Sequence, residues 1–116
     1  CGAGNGSFTI SYDGWFRLCA DLWHPDTIYD LRRGRLAEAW EDLVPSVRAM
    51  RSADPGFLAG CRRCPIFNLC LWCPAHAHLE TGALDGFSSY FCDVAHARAA
   101  GLEARLAARG PADQSA

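Results

Sequence analysis

Cys61-Arg62-Arg63-Cys64-Pro65-Ile66-Phe67-Asn68-Leu69-Cys70-Leu71-Trp72-Cys73-Pro74 carries four of the seven cysteines in the chain. Two thiols separated by two residues can turn toward one metal centre while the intervening amides point at sulfur, which is why CX2C recurs in zinc knuckles and iron-sulfur loops. Here the pairs Cys61/Cys64 and Cys70/Cys73 stand only five residues apart. Common zinc ribbons separate their two knuckles by about fifteen to twenty residues. Pro65 and Pro74 each follow a cysteine and turn the chain there, because proline lacks an amide hydrogen and has a fixed φ. Cys1, Cys19 and Cys92 lie outside the run. One centre on the four clustered thiols leaves these three without a role, whereas two centres sharing all seven account for more of the sequence.

Composition narrows the classes around this run. A chain of 116 residues suits one domain. At 50% hydrophobic and 21% charged it is far from the polar composition that stays disordered. Thirteen acids against eleven bases, all of them arginine, give a net charge of -2. Neither nucleic acid nor an anionic membrane surface is an expected partner. An odd number of cysteines, at a density below the roughly 8 to 10% of small disulfide scaffolds, disfavours a secreted disulfide protein. The chain begins at Cys1 without a charged and then apolar leader, so it reads as a piece of a longer, cytoplasmic protein with no signal peptide and no membrane span.

Outward from the central run, Phe8, Ile10 and Tyr12 alternate with polar residues before Asp13-Gly14 and Trp15-Phe16-Arg17-Leu18-Cys19, which predicts a β-hairpin. Cys1 and Cys19 then lie at its open end, and the run Gly2-Ala3-Gly4-Asn5-Gly6 suits a chain bending closely there. Leu36, Trp40, Leu43, Val47 and Met50 form a helical stripe interrupted by Pro45. Two short helices are expected, or one kinked there. Asp54-Pro55-Gly56 reads as the end of the helical region. Pro74 to Thr81 before Gly82 reads as a short helix, and Asp93 to Arg109 as a last one. The fold class is therefore α+β: an N-terminal hairpin, then short helices and cysteine-rich loops around two metal clusters. Residues 1–110 form the domain and 111–116 a disordered tail.

Written with their spacing, the cysteines run Cys1, twelve residues, Gly14, four residues, Cys19, a gap, Cys61-X2-Cys64-X5-Cys70-X2-Cys73, a gap, and Cys92. This pattern closely resembles the SPASM domain, the auxiliary extension of radical S-adenosylmethionine (radical SAM) enzymes that mature peptides and cofactors. The resemblance covers Cys1 to about Arg98. It departs from the family at Cys73, where CX2C stands for CX3C.

The resemblance implies two 4Fe-4S clusters. Cys61, Cys64, Cys70 and Cys92 would hold auxiliary cluster II. Cys1, Cys19 and Cys73 would hold auxiliary cluster I, whose fourth ligand is unassigned; Ser7 occupies the stretch where some members carry another cysteine. The chain contains no CX3CX2C triplet, the family's S-adenosylmethionine-cluster motif. No catalytic residue is therefore assigned, and S-adenosylmethionine enters only through an upstream domain. The implied role is electron transfer or substrate positioning beside a radical SAM catalytic domain, with a precursor peptide, a small peptide chaperone and an external electron donor as partners. The alternative is a zinc-stabilised structural or interaction module on Cys61, Cys64, Cys70 and Cys73.

Other groups carry plainer readings. His24, His76, His78 and His96 read as helix-surface or packing residues, since positions two apart on a helix face different ways. Trp23, Trp72 and Tyr90 read as packing aromatics, with shaping of a peptide face as the second reading. Arg62 and Arg63 either offset cluster charge or are exposed loop arginines. Glu80 and Asp13 show no sign of a tuned carboxylate pair.

Overall fold

The computed structural model describes residues 1–109; the tail expected over 111–116 lies outside them. The hairpin forms as expected. β1 (Thr9–Ile10) pairs antiparallel with β2 (Trp15–Arg17), Ile10 opposite Phe16. Gly14 takes φ 89° in the turn, a conformation that side-chain-bearing residues rarely adopt. A third strand, β3 (Ile28–Asp30), adds to the free edge of β2 with Phe16 opposite Tyr29. Three antiparallel strands followed by helices make an α+β fold. β3 has no sequence signature, because three residues are too few to show alternation.

Helical structure runs from Leu36 to Ala49 as α1 (Leu36–Glu38), a π turn over Ala39–Leu43 and α2 (Val44–Ala49). The π turn has a cause in sequence. Pro45 cannot donate to the carbonyl four residues back, and the Val44 amide bonds to the Ala39 carbonyl five residues back. The wide turn shifts the helix phase, so the stripe read from spacing is corrected. Ala39 and Val44 are buried, while Leu36, Trp40 and Met50 remain more than a third exposed. Phe16, Leu18, Leu22, Ala39, Val44 and Ala75 form the core, with Cys19 and Cys73 among the residues packed against it.

The glycine-rich start folds back on itself, with the Asn5, Gly6 and Ser7 amides all donating to the Gly2 carbonyl. Gly4 sits at φ 63° against Leu18 and Val44, and a Cβ there would clash with both. Arg48 clasps this loop by donating to the Gly4 carbonyl at 3.0 Å and to Asn5 Oδ1 at 3.3 Å.

Two later boundaries differ from expectation. Asp54-Pro55-Gly56 opens a helix, α3 (Pro55–Ala59), and does not close one. Asp54 is its N-cap, accepting from the Phe57 amide at 2.6 Å, with Pro55 in the first turn, a favoured pairing of cap and proline. α4 (Pro74–Thr81) matches its expected bounds and ends at Gly82 with φ 80°. α5 (Ser89–Arg109) starts four residues before the expected Asp93, which puts Cys92 on the helix. Among the described residues, no helix is long and apolar enough to cross a membrane.

Candidate metal-binding cavity

The second half of the chain holds few buried side chains and is arranged around a cavity of about 400 Å³. Cys61, Cys64, Cys70 and Cys92 all line it. Each arrives from a different local device. Cys61 opens a 3-10 turn (Cys61–Arg63) stacked directly on α3, and Cys64 closes it in extended conformation before Pro65. A second 3-10 turn, Phe67–Leu69, delivers Cys70, whose sulfur accepts the Trp72 amide hydrogen at 3.4 Å and approaches the Phe91 carbonyl at 3.8 Å. Cys92 comes from the first turns of α5, where Phe91, Cys92, Ala95 and His96, with Ser88 just before the helix, share the cavity-facing stripe. That spacing of three and four residues follows from the helical repeat.

The walls are tied together by polar anchors. Trp72 stacks on Phe57 with centroids 4.4 Å apart and donates its indole N–H to the Gly86 carbonyl at 2.9 Å. The Asp85 carboxylate accepts from Ser52 Oγ and from the Ala53 and Asp54 amides at 2.9–3.1 Å. These bonds hold its carboxyl below the usual range and fasten the segment leading into α3 to the loop before α5.

Burial pushes the Cys61 thiol up, and the charges of Cys70, Cys92 and Cys64 push in the same direction. Thiols gathered at one cavity are a donor set of the kind that binds cationic metal centres. The spread of the set also bears on what it suits. A single zinc holds each sulfur at about 2.3 Å, yet among the described residues no three His, Cys, Asp or Glu side chains are placed to hold one metal ion. Cys73, the fourth thiol of the zinc reading, does not line this cavity. It caps α4, its sulfur accepting the His76 amide hydrogen at 3.5 Å.

Cys1, Cys19 and Cys73 do not line that cavity. Cys19 and Cys73 border the core, and Cys1 is exposed. The Ser7 hydroxyl lies 3.4 Å from where a Cβ at Gly2 would stand, beside Cys1 in the chain. All seven cysteines are free thiols.

His24, His76 and His78 pack, while His96 is exposed at the cavity. His76 lies parallel to Phe91 at 5.0 Å and His78 edge-on to His24 at 4.9 Å. Arg63 lines the cavity while Arg62 and Arg63 are both exposed, Tyr90 is exposed, and Asp13 accepts from Ser11. Arg17 carries no signal in sequence. Only 5% exposed, it lays its guanidinium 3.4 Å from the Trp23 ring centroid and donates to the Ala20 carbonyl, pinning the turn that follows Cys19 to β2.

No family model, curated protein or solved structure matches this chain.

Proposed function

We propose that this chain is an iron-sulfur accessory domain of a radical SAM peptide or cofactor maturase, holding two auxiliary 4Fe-4S clusters. The observation that carries this reading is the cavity ringed by Cys61, Cys64, Cys70 and Cys92, the four residues that the resemblance to the SPASM domain assigns to auxiliary cluster II. Cys1, Cys19 and Cys73 would hold auxiliary cluster I, with its fourth position open or filled from outside the chain.

Such a cluster, when bound, accepts and returns one electron at a potential set by charge, hydrogen bonds to sulfur and solvent exposure. The chain's own residues govern those last terms. The Trp72 amide donates to Cys70 sulfur, a contact of the kind that tunes a cluster through its sulfurs. Trp72, Phe91 and Ile66 wall the cavity with apolar surface, which limits water near the thiols, while Arg63 at its edge supplies positive charge. An external reductant, a catalytic domain in the same or another chain, and a precursor peptide are the partners this role requires.

The test is iron, zinc and acid-labile sulfide per chain after anaerobic reconstitution. Two clusters require about eight iron and eight sulfide, or about seven iron if an open corner is lost. Cys92→Ala and Cys73→Ala should each remove about one cluster's worth, and from different sites. Ser7→Cys should restore any missing iron. About one zinc per chain without sulfide overturns the reading in favour of a structural zinc module.

A further inference from the structure

We propose that an open groove along the middle of α5 docks an acidic, leucine-bearing helical segment of a partner protein. The groove, of about 550 Å³, lies between α5 and the segment that carries Cys70. Leu69 and Leu71 line it while Cys70 between them lines the cysteine cavity, so one short segment at the end of the 3-10 turn separates two surfaces. The inference therefore does not rest on what the cavity binds.

Three observations specify the occupant. The first is apolar exposure: Leu71 is 55% and Leu102 is 49% exposed, beside each other in the groove and without cover from the described chain. The second is charge. Arg98 and Arg105 line the groove, and among the described residues neither is paired with a carboxylate. Arg98 is bonded to the Leu69 carbonyl at 3.3 Å. The two acids of α5, Asp93 and Glu103, fall on the far side of the helix by the 3.6-residue repeat.

An apolar strip flanked by arginines without a carboxylate partner among the described residues is complementary to leucines flanked by Asp or Glu. From Arg98 to Arg105 the groove follows two turns of α5, or about 10 Å, the length over which two turns of a partner helix present anchors at i, i+3 and i+4. A second copy of this chain would set arginine against arginine in a symmetric pairing. Two arginines also fall short of the four to eight that mark an anionic lipid site, by about half or more.

The third observation is Gly101. It lies inside α5, where glycine weakens a helix, yet a Cβ there would meet nothing within 4 Å. Its own fold does not require the missing side chain. The open space above it leaves room for a partner helix, a single Cβ included.

The experiment is selection of a displayed library of randomised helical peptides on the full purified chain, followed by affinity measurement of the enriched peptides. The expected result is enrichment of Glu or Asp with Leu at helical spacing. Affinity should fall about tenfold or more for Gly101→Trp, which fills open space, and by about threefold or more for the exposed change Arg105→Glu, while Gly101→Ala stays within about twofold. Circular dichroism matched to the parent certifies that both disruptive variants are folded. No enrichment, enrichment without acidic bias, or enriched peptides that bind Gly101→Trp undiminished overturns the proposal. Binding to phosphatidylserine vesicles that Gly101→Trp abolishes, with no acidic peptide selected, overturns it in favour of a lipid surface.

Discussion

The Glu38 carboxylate shows how one side chain can report on the packing of the first half of the chain. It accepts from the Tyr29 hydroxyl, from the Arg35 amide at 3.1 Å and from the Arg35 guanidinium at 3.0 Å. These bonds, that of Tyr29 foremost, hold its carboxyl down to about 2 from the ordinary 4.5. A depressed carboxyl binds its proton later in the folded state than in the unfolded one, so its stabilisation is present above the ordinary value and lost on acidification. The urea midpoint should fall as pH drops from about 4.5 to about 2, and Glu38→Gln should flatten that part of the profile. Gly34 belongs to the same arrangement, since a Cβ there would overlap the Tyr29 hydroxyl. Asp85 is the corresponding anchor in the second half. Asp85→Ala strips two backbone amides of their acceptor and should cost about 1 kcal/mol in chemical denaturation, with increased hydrogen exchange at Ala53 and Asp54.

At the scale of elements, α5 and the Leu36–Ala49 segment show opposite uses of helical phase. In the first, an uninterrupted helix of 21 residues places a cysteine stripe near its start and an arginine-leucine stripe farther along. In the second, Pro45 forces a wide turn that moves Ala39 and Val44 onto the core. Gly101→Ala should raise the melting temperature, the helix gaining about 0.5–1 kcal/mol from the lost glycine flexibility. Gly4→Val should have the opposite effect by forcing a β-branched residue into φ 63° against Leu18 and Val44. Its loss should exceed 1 kcal/mol, on the order of 2, read from the same melts.

The molecule as a whole is elongated. Its radius of gyration is 18.3 Å, where a compact chain of this length has about 13 Å. The hydrophobic cluster draws on the sheet, the turn after it, the Leu36–Ala49 segment and the start of α4. The stretches from Cys61 to Trp72 and from Phe87 to His96 close around a cavity instead. Under the proposed function, metal assembly supplies what apolar burial does not. Stripping metal from the reconstituted chain should therefore unprotect amides from Cys61 to Trp72 and in the first turns of α5 in hydrogen exchange, while the hairpin and the helix through Val47 keep much of their protection. A uniform loss along the chain would count against this division.

Local chemistry was legible in sequence wherever the signal is short-range. Asp13-Gly14 marked the hairpin turn, Pro74 and Gly82 bounded α4, and Pro45 marked the helical irregularity, because each acts through its own φ or its own missing donor. The CX2C pairs raised the expectation of a shared thiol site, but their spacing alone did not choose between Cys73 and Cys92 as companion to Cys61, Cys64 and Cys70. The tertiary structure brings Cys92 to those three and turns Cys73 toward α4, because α5 begins early enough to carry Cys92 onto the cavity face. It likewise decided β3, which exists through pairing with β2, and the re-phased stripe, which depends on where the core stands. Propensities act over a few residues and were written in the sequence, whereas the choice of thiol companions and buried faces depends on closing loops of many residues around a shared centre.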